Sequence, residues 1–352
     1  MDGRQLARTA TGRGGFPGLR AGVRSAAVLA AGLLALTACG GGSDAADAAD
    51  ASAKGDRGGD KAATATRSVE HDAGTAEKVP AQPKRIVSVS VTMTGHLLAL
   101  DAPVIASQAT PPSVITDQQG FFSQWSDAAA ENSVKVAYQG FEPDVEKVLA
   151  LKPDLIVGAS SGAENAEKFY DKLSVVAPTL LYRHDDVSWQ DLTARLGKDL
   201  GLEERASEVV AAHDKRVGEV KAAITVPKQP AALVRDNQSA MTVFTPESAQ
   251  GRLLTSLGFT VLEPPAGKGQ TQGGRSDFAE FSQEKVADTA KDSSLLFVSH
   301  TPEEITAATA RPVWKDLPAV EDKRVYDLGL DTFRLDYYSA GNLIDKIEKA
   351  FG

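Results

Sequence analysis

Two blocks of short, β-branched apolar runs, each interleaved with helical spacing and parted by one long helical stretch, restrict this 352-residue chain to a narrow set of folds. In the first block "RIVSVS" (85–90), "PVIAS" (103–107), "DLIVGA" (154–159) and "PTLLY" (178–182) read as strands. Between them "TGHLLALD", "VEKVLALK" and "ENAEKFYDKLSVV" place apolar residues three and four apart, as helices do. Strands that are apolar throughout and separated by helices indicate a parallel sheet covered on both faces. The rhythm then changes. "WQDLTARLGKDLGL" and "EERASEVVAAHDKRVGEVKAAI" are helical with a break near Gly201, and the second part, 203–224, would be about 33 Å long. After Pro227 and Pro230 the alternation resumes with "AALVRD", "MTVFT", "FTVLE", "SLLFVSH" and "RVYDLG", and with helices at "SAQGRLLTSLG", "SQEKVADTA" and "YYSAGNLIDKIEKAF". The expectation is an α/β protein of two Rossmann-like lobes, 79–200 and 227–352, joined by a single long helix within 201–226. No fixed-period repeat points to a solenoid.

The N-terminal 78 residues do not belong to that pattern. An arginine-bearing stretch leads into "SAAVLAAGLLALTAC", whose apolar run is too short to span a bilayer but suits a signal peptide covering 1–38. It ends in Leu36-Thr37-Ala38-Cys39, which resembles a bacterial lipobox, so Cys39 is expected to be the acylated first residue of the mature chain. Each buried CH₂ of an acyl chain contributes about 0.8 kcal/mol, and two or more chains on one cysteine anchor stably. Residues 39–78, poor in large apolar side chains, are expected to be a flexible tether. Without residues 1–38 the chain holds 33 basic and 46 acidic side chains, a formal charge of -13. Such a surface repels nucleic-acid phosphates, so an anionic ligand must be held by a local group of arginines. Cys39 is the only cysteine, which excludes an intrachain disulfide and a CxxC metal site.

The motifs that carry chemistry are few. His71, His96, His184, His213 and His300 include no pair at i, i+3 or i+4, so no set of ligands for a bare transition metal is expected; a metal would arrive inside an organic chelator. "GASSG" (158–162) satisfies the G-x-S-x-G pattern between a strand and a helix, which raises a serine hydrolase using Ser160 with Asp292 and His300. No HGGG-like oxyanion segment precedes it, and small residues after a strand also serve close packing. "AGKGQTQGGRSDF" (266–278) misses G-x-G-x-x-G by one position and reads as a loop at a cleft edge carrying Arg275. Arg183 and Arg235 each end an expected strand, and Arg334 follows "RVYDLG" just before the last helix. In open α/β sheets the carboxyl ends of strands border the ligand crevice. Arginine offers a planar fork of donors and stacks on rings, so Arg334 beside Phe333 and the Tyr337/Tyr338 pair suits a ligand both aromatic and anionic.

The segments "KRIVSVSVTMTGHLLALDAPVIAS", "DQQGFFSQWS", "LYRHDDVSWQDLTARLG", "TPESAQGRLLTSLGFT" and "VYDLGLDTFRLDYYSAGNLIDKI" together resemble the ferric enterobactin-binding proteins of bacterial siderophore ABC importers, from about Pro83 to the C-terminus. The resemblance implies the class III substrate-binding fold and a ferric siderophore held between the lobes, handed to a membrane permease driven by an ATPase. It implies a non-enzymatic monomer with no resident cofactor. Arg334 falls in the matching FRLDYYSA stretch and resembles the family's ligand-binding arginine; Arg275 lies in a matching QG-x-R-x-D loop. The chain departs from the family where Val114 or a neighbour stands in place of a cleft arginine, and where Phe244 replaces a tryptophan; Arg235 is an additional charge. A ferric tris-catecholate would then meet Arg334, Arg235, Arg275 and Arg183, with Phe244, Tyr138, Trp125 and Tyr338 as candidate walls. Glu167 and Glu284 are the candidates for docking to the permease. A hydroxamate siderophore, haem or a corrinoid on the same scaffold is the alternative ligand.

Overall fold

Burial on both faces decides which apolar runs become central strands. The computed structural model describes residues 65–185, 187–267, 269–270 and 277–352, so Cys39 and Arg275 lie outside the described residues. The described chain opens with a hairpin of β1 (Thr66–His71) and β2 (Gly74–Pro80). This corrects the tether expected up to residue 78. The hairpin was concealed because only Val69, Ala76 and Val79 are buried apolar residues among charged neighbours. Its turn is tied down: the Asp72 N–H donates to the Leu181 carbonyl (3.0 Å), and the Asp72 carboxylate accepts from the Arg183 N–H (2.6 Å) and from Arg195 (2.8 Å).

The first sheet comprises β3 (Ile86–Ser88), β4 (Val104–Ala109), β5 (Lys135–Gln139), β6 (Leu155–Ala159) and β7 (Thr179–Tyr182). All five strands are parallel in the order β5-β4-β3-β6-β7. The second comprises β8 (Ala231–Asp236), β9 (Ala240–Phe244), β10 (Phe278–Ser282), β11 (Ser294–Phe297) and β12 (Val325–Asp327), in the order β10-β9-β8-β11-β12. There β8, β11 and β12 are parallel, while β9 runs antiparallel to both β8 and β10. The expected strand at "FTVLE" forms only a single bridge from Val261 to Ala231. Within these two five-stranded sheets the strands that sequence reasoning did not expect, β5 and β10, lie at the edges, where half-exposure dilutes the apolar signal.

The long helix is Glu203–Ala223, 21 residues, and it belongs to both lobes at once. Ala206 packs into the first-lobe core, whereas Val209 and Val220 pack into the second. Arg205 bonds the Ala99 carbonyl (3.2 Å) and pairs with Asp101 (2.8 Å) in the first lobe. Arg216 pairs with Asp345 (2.8 Å) and Glu348 (2.6 Å) on the C-terminal helix Tyr337–Phe351. The preceding helix Trp189–Leu200 ends at Gly201, whose φ of 71° supplies the left-handed cap that places the break there.

Candidate functional site

Helix caps fix the elements that line the space between the lobes. Ser90, Ser188 and Ser248 cap the helices Val91–Ala99, Trp189–Leu200 and Ala249–Ser256, accepting N–H bonds from Met93 (3.1 Å), Asp191 (3.0 Å) and Gly251 (2.9 Å). Asp336 caps the C-terminal helix in a reciprocal box with Ser339 (2.9 Å in each direction). Gln250, buried on Ala249–Ser256, donates to the carbonyls of Thr332 (2.6 Å) and Phe333 (3.0 Å). The backbone that carries Arg334 is therefore held by the very helix whose start, "TPESAQG", accompanies it in the family pattern.

A cavity of about 220 Å³ opens between the lobes. The first lobe lines it with Thr92, His96, His184 and Asp185; the second contributes Glu247, Arg252, Asp277, Phe333 and Arg334. Arg334 reaches across: its Nη1 lies 3.5 Å from Thr92 Oγ1 and 3.8 Å from Glu164 Oε1. Two guanidinium groups lie near the Phe333 ring, Arg235 at 5.0 Å and Arg334 at 5.9 Å from its centroid. Phe244 and Phe278 buttress that ring, each 6.0 Å away. Burial lowers the Arg235 pKa from its ordinary value, opposed by Glu280 and Glu304. His96 bonds Thr193 Oγ1 (3.0 Å); burial, aided by the neighbouring His184, pushes its pKa down to about 3, so it faces the cavity as neutral imidazole. Burial raises Asp336 to about 6 against the pull of its bonds to Ser339.

Of the residues expected at the site, the structure brings Arg334 to the cleft and Arg235 to the same ring, Phe333. Arg183 is half-exposed at the end of β7 and bonds Asp185 (3.0 Å), which lines the cavity. The aromatic walls are a correction. Phe244 and Trp125 are 0% exposed and Tyr138 is 3% exposed, with its hydroxyl on the Val89 carbonyl (3.2 Å), so all three are core. Tyr338 is partly buried and packs against the cores of both lobes. Glu167 and Glu284 are exposed on separate lobes, each following the carboxyl end of a strand. Sequence reasoning missed Arg252, an exposed cation in the first turn of Ala249–Ser256, and Glu164, a buried anion in the small-residue loop after β6.

The "GASSG" segment is explained by packing. A Cβ on Gly158 would meet Val89 at 2.5 Å and Leu181 at 3.0 Å. The buried Ser160 hydroxyl has no hydrogen-bond partner among the described residues, His300 bonds the Val298 carbonyl (2.9 Å), and Asp292 is exposed in the second lobe, so the three are not assembled as a triad. Among the described residues no group of three or more His, Cys, Asp or Glu side chains is placed to hold a metal ion.

The family model for the periplasmic binding protein matches residues 86–332, which spans both sheets and the helix between them. The chain belongs to the periplasmic binding protein family. This periplasmic binding protein is 43% identical to the ferric enterobactin-binding periplasmic protein FepB of Escherichia coli O6:H1, over 83% of this chain and 92% of that one. It is 28% identical to the probable siderophore-binding lipoprotein YfiY of Bacillus subtilis, over 81% of this chain and 88% of that one. The crystal structure of holo-ViuP superposes with a TM-score of 0.73 at 33% identity, covering 81% of this chain and 95% of that one. The two-lobed architecture is the class III periplasmic binding protein fold, and these relatives are binding proteins, not enzymes.

Proposed function

We propose that this protein is the extracytoplasmic receptor of an ABC importer that captures a ferric siderophore of catecholate type and delivers it to a permease driven by an ATPase. The observation that carries the reading is the 43% identity to a ferric enterobactin-binding protein across 92% of that protein's length. The cleft chemistry agrees with it: Arg334 and Arg252 line the cavity beside the Phe333 ring, and an anionic chelate with aromatic edges can use both charge and stacking. The protein acts as a monomer without catalysis and without a resident cofactor; iron enters already wrapped in its chelator. Arg183 and Arg275 serve as further ligand contacts. Cys39 carries the lipid that holds the receptor at the membrane, and Glu167 and Glu284 dock the two lobes on the permease.

One observation favours a second ligand. Asp185, Glu247 and Asp277 also line the cavity, and these acids suit a chelate of low net charge, such as a ferric hydroxamate. Titration of the purified chain with a ferric tris-catecholate, a ferric hydroxamate and haem separates the readings, with tryptophan fluorescence as the signal because Trp189 lines the cavity. Saturable quenching by the catecholate at the lowest concentration is expected. Tight hydroxamate binding with none of the catecholate replaces the first reading by the second. Loss of Cys39, as Cys39→Ala, moves the receptor from the membrane to the soluble fraction; retention in the membrane overturns the anchor.

A further inference from the structure

Beneath the cavity lies a carboxylate that does not line it. Glu164 is 0% exposed, and three groups converge on one of its oxygens. Oε1 accepts the Thr92 hydroxyl and lies 3.7 Å from His184 Nε2 and 3.8 Å from Arg334 Nη1. Oε2 is sealed from solvent with no hydrogen-bond partner among the described residues. A carboxylate buried to brace the fold ordinarily has both oxygens satisfied, because an unmade bond is costly. Arg334 is incomplete in the same way: its Nε is sealed without a partner among the described residues, and its approach to Glu164 is a single long contact instead of a bidentate fork. Thr92, His184 and Arg334 all line the cavity, and Glu164 stands behind all three.

We infer that Glu164 is a specificity-determining residue: a concealed counter-anion from the first lobe that occupies Arg334 of the second until an anionic ligand replaces it, so that the cleft discriminates against surplus negative charge. The inference rests on the proposed function for the identity of the ligand, but not for the Glu164–Arg334 competition itself. Glu164→Gln keeps the shape and the hydrogen bond from Thr92 while removing the charge. A ferric tris-catecholate, bearing several negative charges, then binds at least about tenfold tighter, the size of one unit–unit interaction over about 12 Å at an effective dielectric of about 20. An uncharged ferric hydroxamate changes by less than about twofold. Equal changes for both chelates, or weaker catecholate binding, overturn the inference. A second measurement needs no ligand: phenylglyoxal modification of arginines, mapped by peptide mass. Glu164→Gln raises the rate at Arg334 severalfold relative to that at the exposed Arg252, and an unchanged ratio overturns the inference. If the wild-type chain binds neither chelate, the proposed function fails and the modification ratio alone decides. Glu164→Met, uncharged and of similar shape, is used for both measurements should the glutamine variant not fold.

Discussion

Replacing Gly95 by alanine should weaken this protein, although the same change improves most helices. Gly95 lies in the middle of Val91–Ala99, and glycine inside a helix ordinarily costs about 1 kcal/mol relative to alanine. Here, however, a Cβ would fall 2.3 Å from Asp336 Oδ2 and 2.9 Å from Trp125 Cδ1. Trp125 is fully buried, with the Phe121 and Phe122 rings 5.3 and 6.2 Å away, and has nowhere to go. Asp336 can retreat only by giving up its bond to the Ser339 N–H, a cap worth about 1 kcal/mol. Overpacking a close-packed contact adds about 1–3 kcal/mol. Set against the gain in helix propensity, the net loss is about 1–3 kcal/mol. Gly95 belongs to the first lobe and Asp336 to the second, two residues from Arg334, so the wedge also displaces the cleft arginine. Urea unfolding followed by circular dichroism, paired with the catecholate titration, reads both effects: a lower midpoint at unchanged slope, and weaker binding. In the double variant with Asp336→Ser, which keeps a capping oxygen on a shorter side chain, part of the stability returns. A Gly95→Ala midpoint at or above that of the wild type would refute the reasoning.

Three other outcomes follow from the same geometry. Asp336 holds its proton up to about pH 6 in the folded chain against an ordinary value of 3.8, so the folded state binds more protons than the unfolded one in between. Stability therefore falls by about 3 kcal/mol as pH rises from about 4 to about 6 and this contribution is flat above that window; Asp336→Asn, which can still accept from Ser339, abolishes that slope, and parallel profiles for the two proteins in denaturant titrations would contradict it. Arg334→Ala should weaken catecholate binding about 10- to 100-fold, the usual loss for a charge-assisted bond, while Arg235→Ala, acting through the Phe333 ring, should cost less than about tenfold; isothermal titration orders the two, and the reverse order would move the site. Glu167→Ala combined with Glu284→Ala should leave the dissociation constant unchanged but depress iron uptake by whole cells severalfold, whereas normal uptake would remove both residues from the docking surface.

How far the sequence could be read depended on what each residue type reports. Branched runs such as "LIVGA" and "ALVRD" announce central strands because both of their faces are buried, and the caps Ser90, Ser188 and Ser248 stand where the helical spacing begins. The hairpin Thr66–Pro80 was illegible because it is held by Asp72, through bonds to Leu181, Arg183 and Arg195 more than a hundred residues away. No local pattern encodes such contacts. The arginines were legible as strand-end residues, but the aromatics were not separable into wall and core: Phe244, Trp125 and Tyr138 differ from Phe333 in burial, not in neighbourhood along the chain. Glu164 was hidden for a related reason. In "SGAENAEK" it looks like one of two exposed glutamates, and only the fold turns Glu164 inward while leaving Glu167 outside.

The cleft therefore cannot be understood as a patch of positive charge. Arg334 and Arg252 share the cavity with Asp185, Glu247 and Asp277, and Glu164 lies beneath them. A receptor with a net charge of -9 for the whole chain gains little long-range attraction for an anion, so capture depends on contacts made inside the cleft, where the dielectric is low and water is displaced. Those contacts cross between lobes that the helix Glu203–Ala223 fixes to one another through Arg205 at one end and Arg216 nearer the other. With the spacing held by that strut, the balance between one guanidinium and its internal competitor is left as the adjustable quantity. Selectivity then follows from how much negative charge a chelate brings, as well as from its shape.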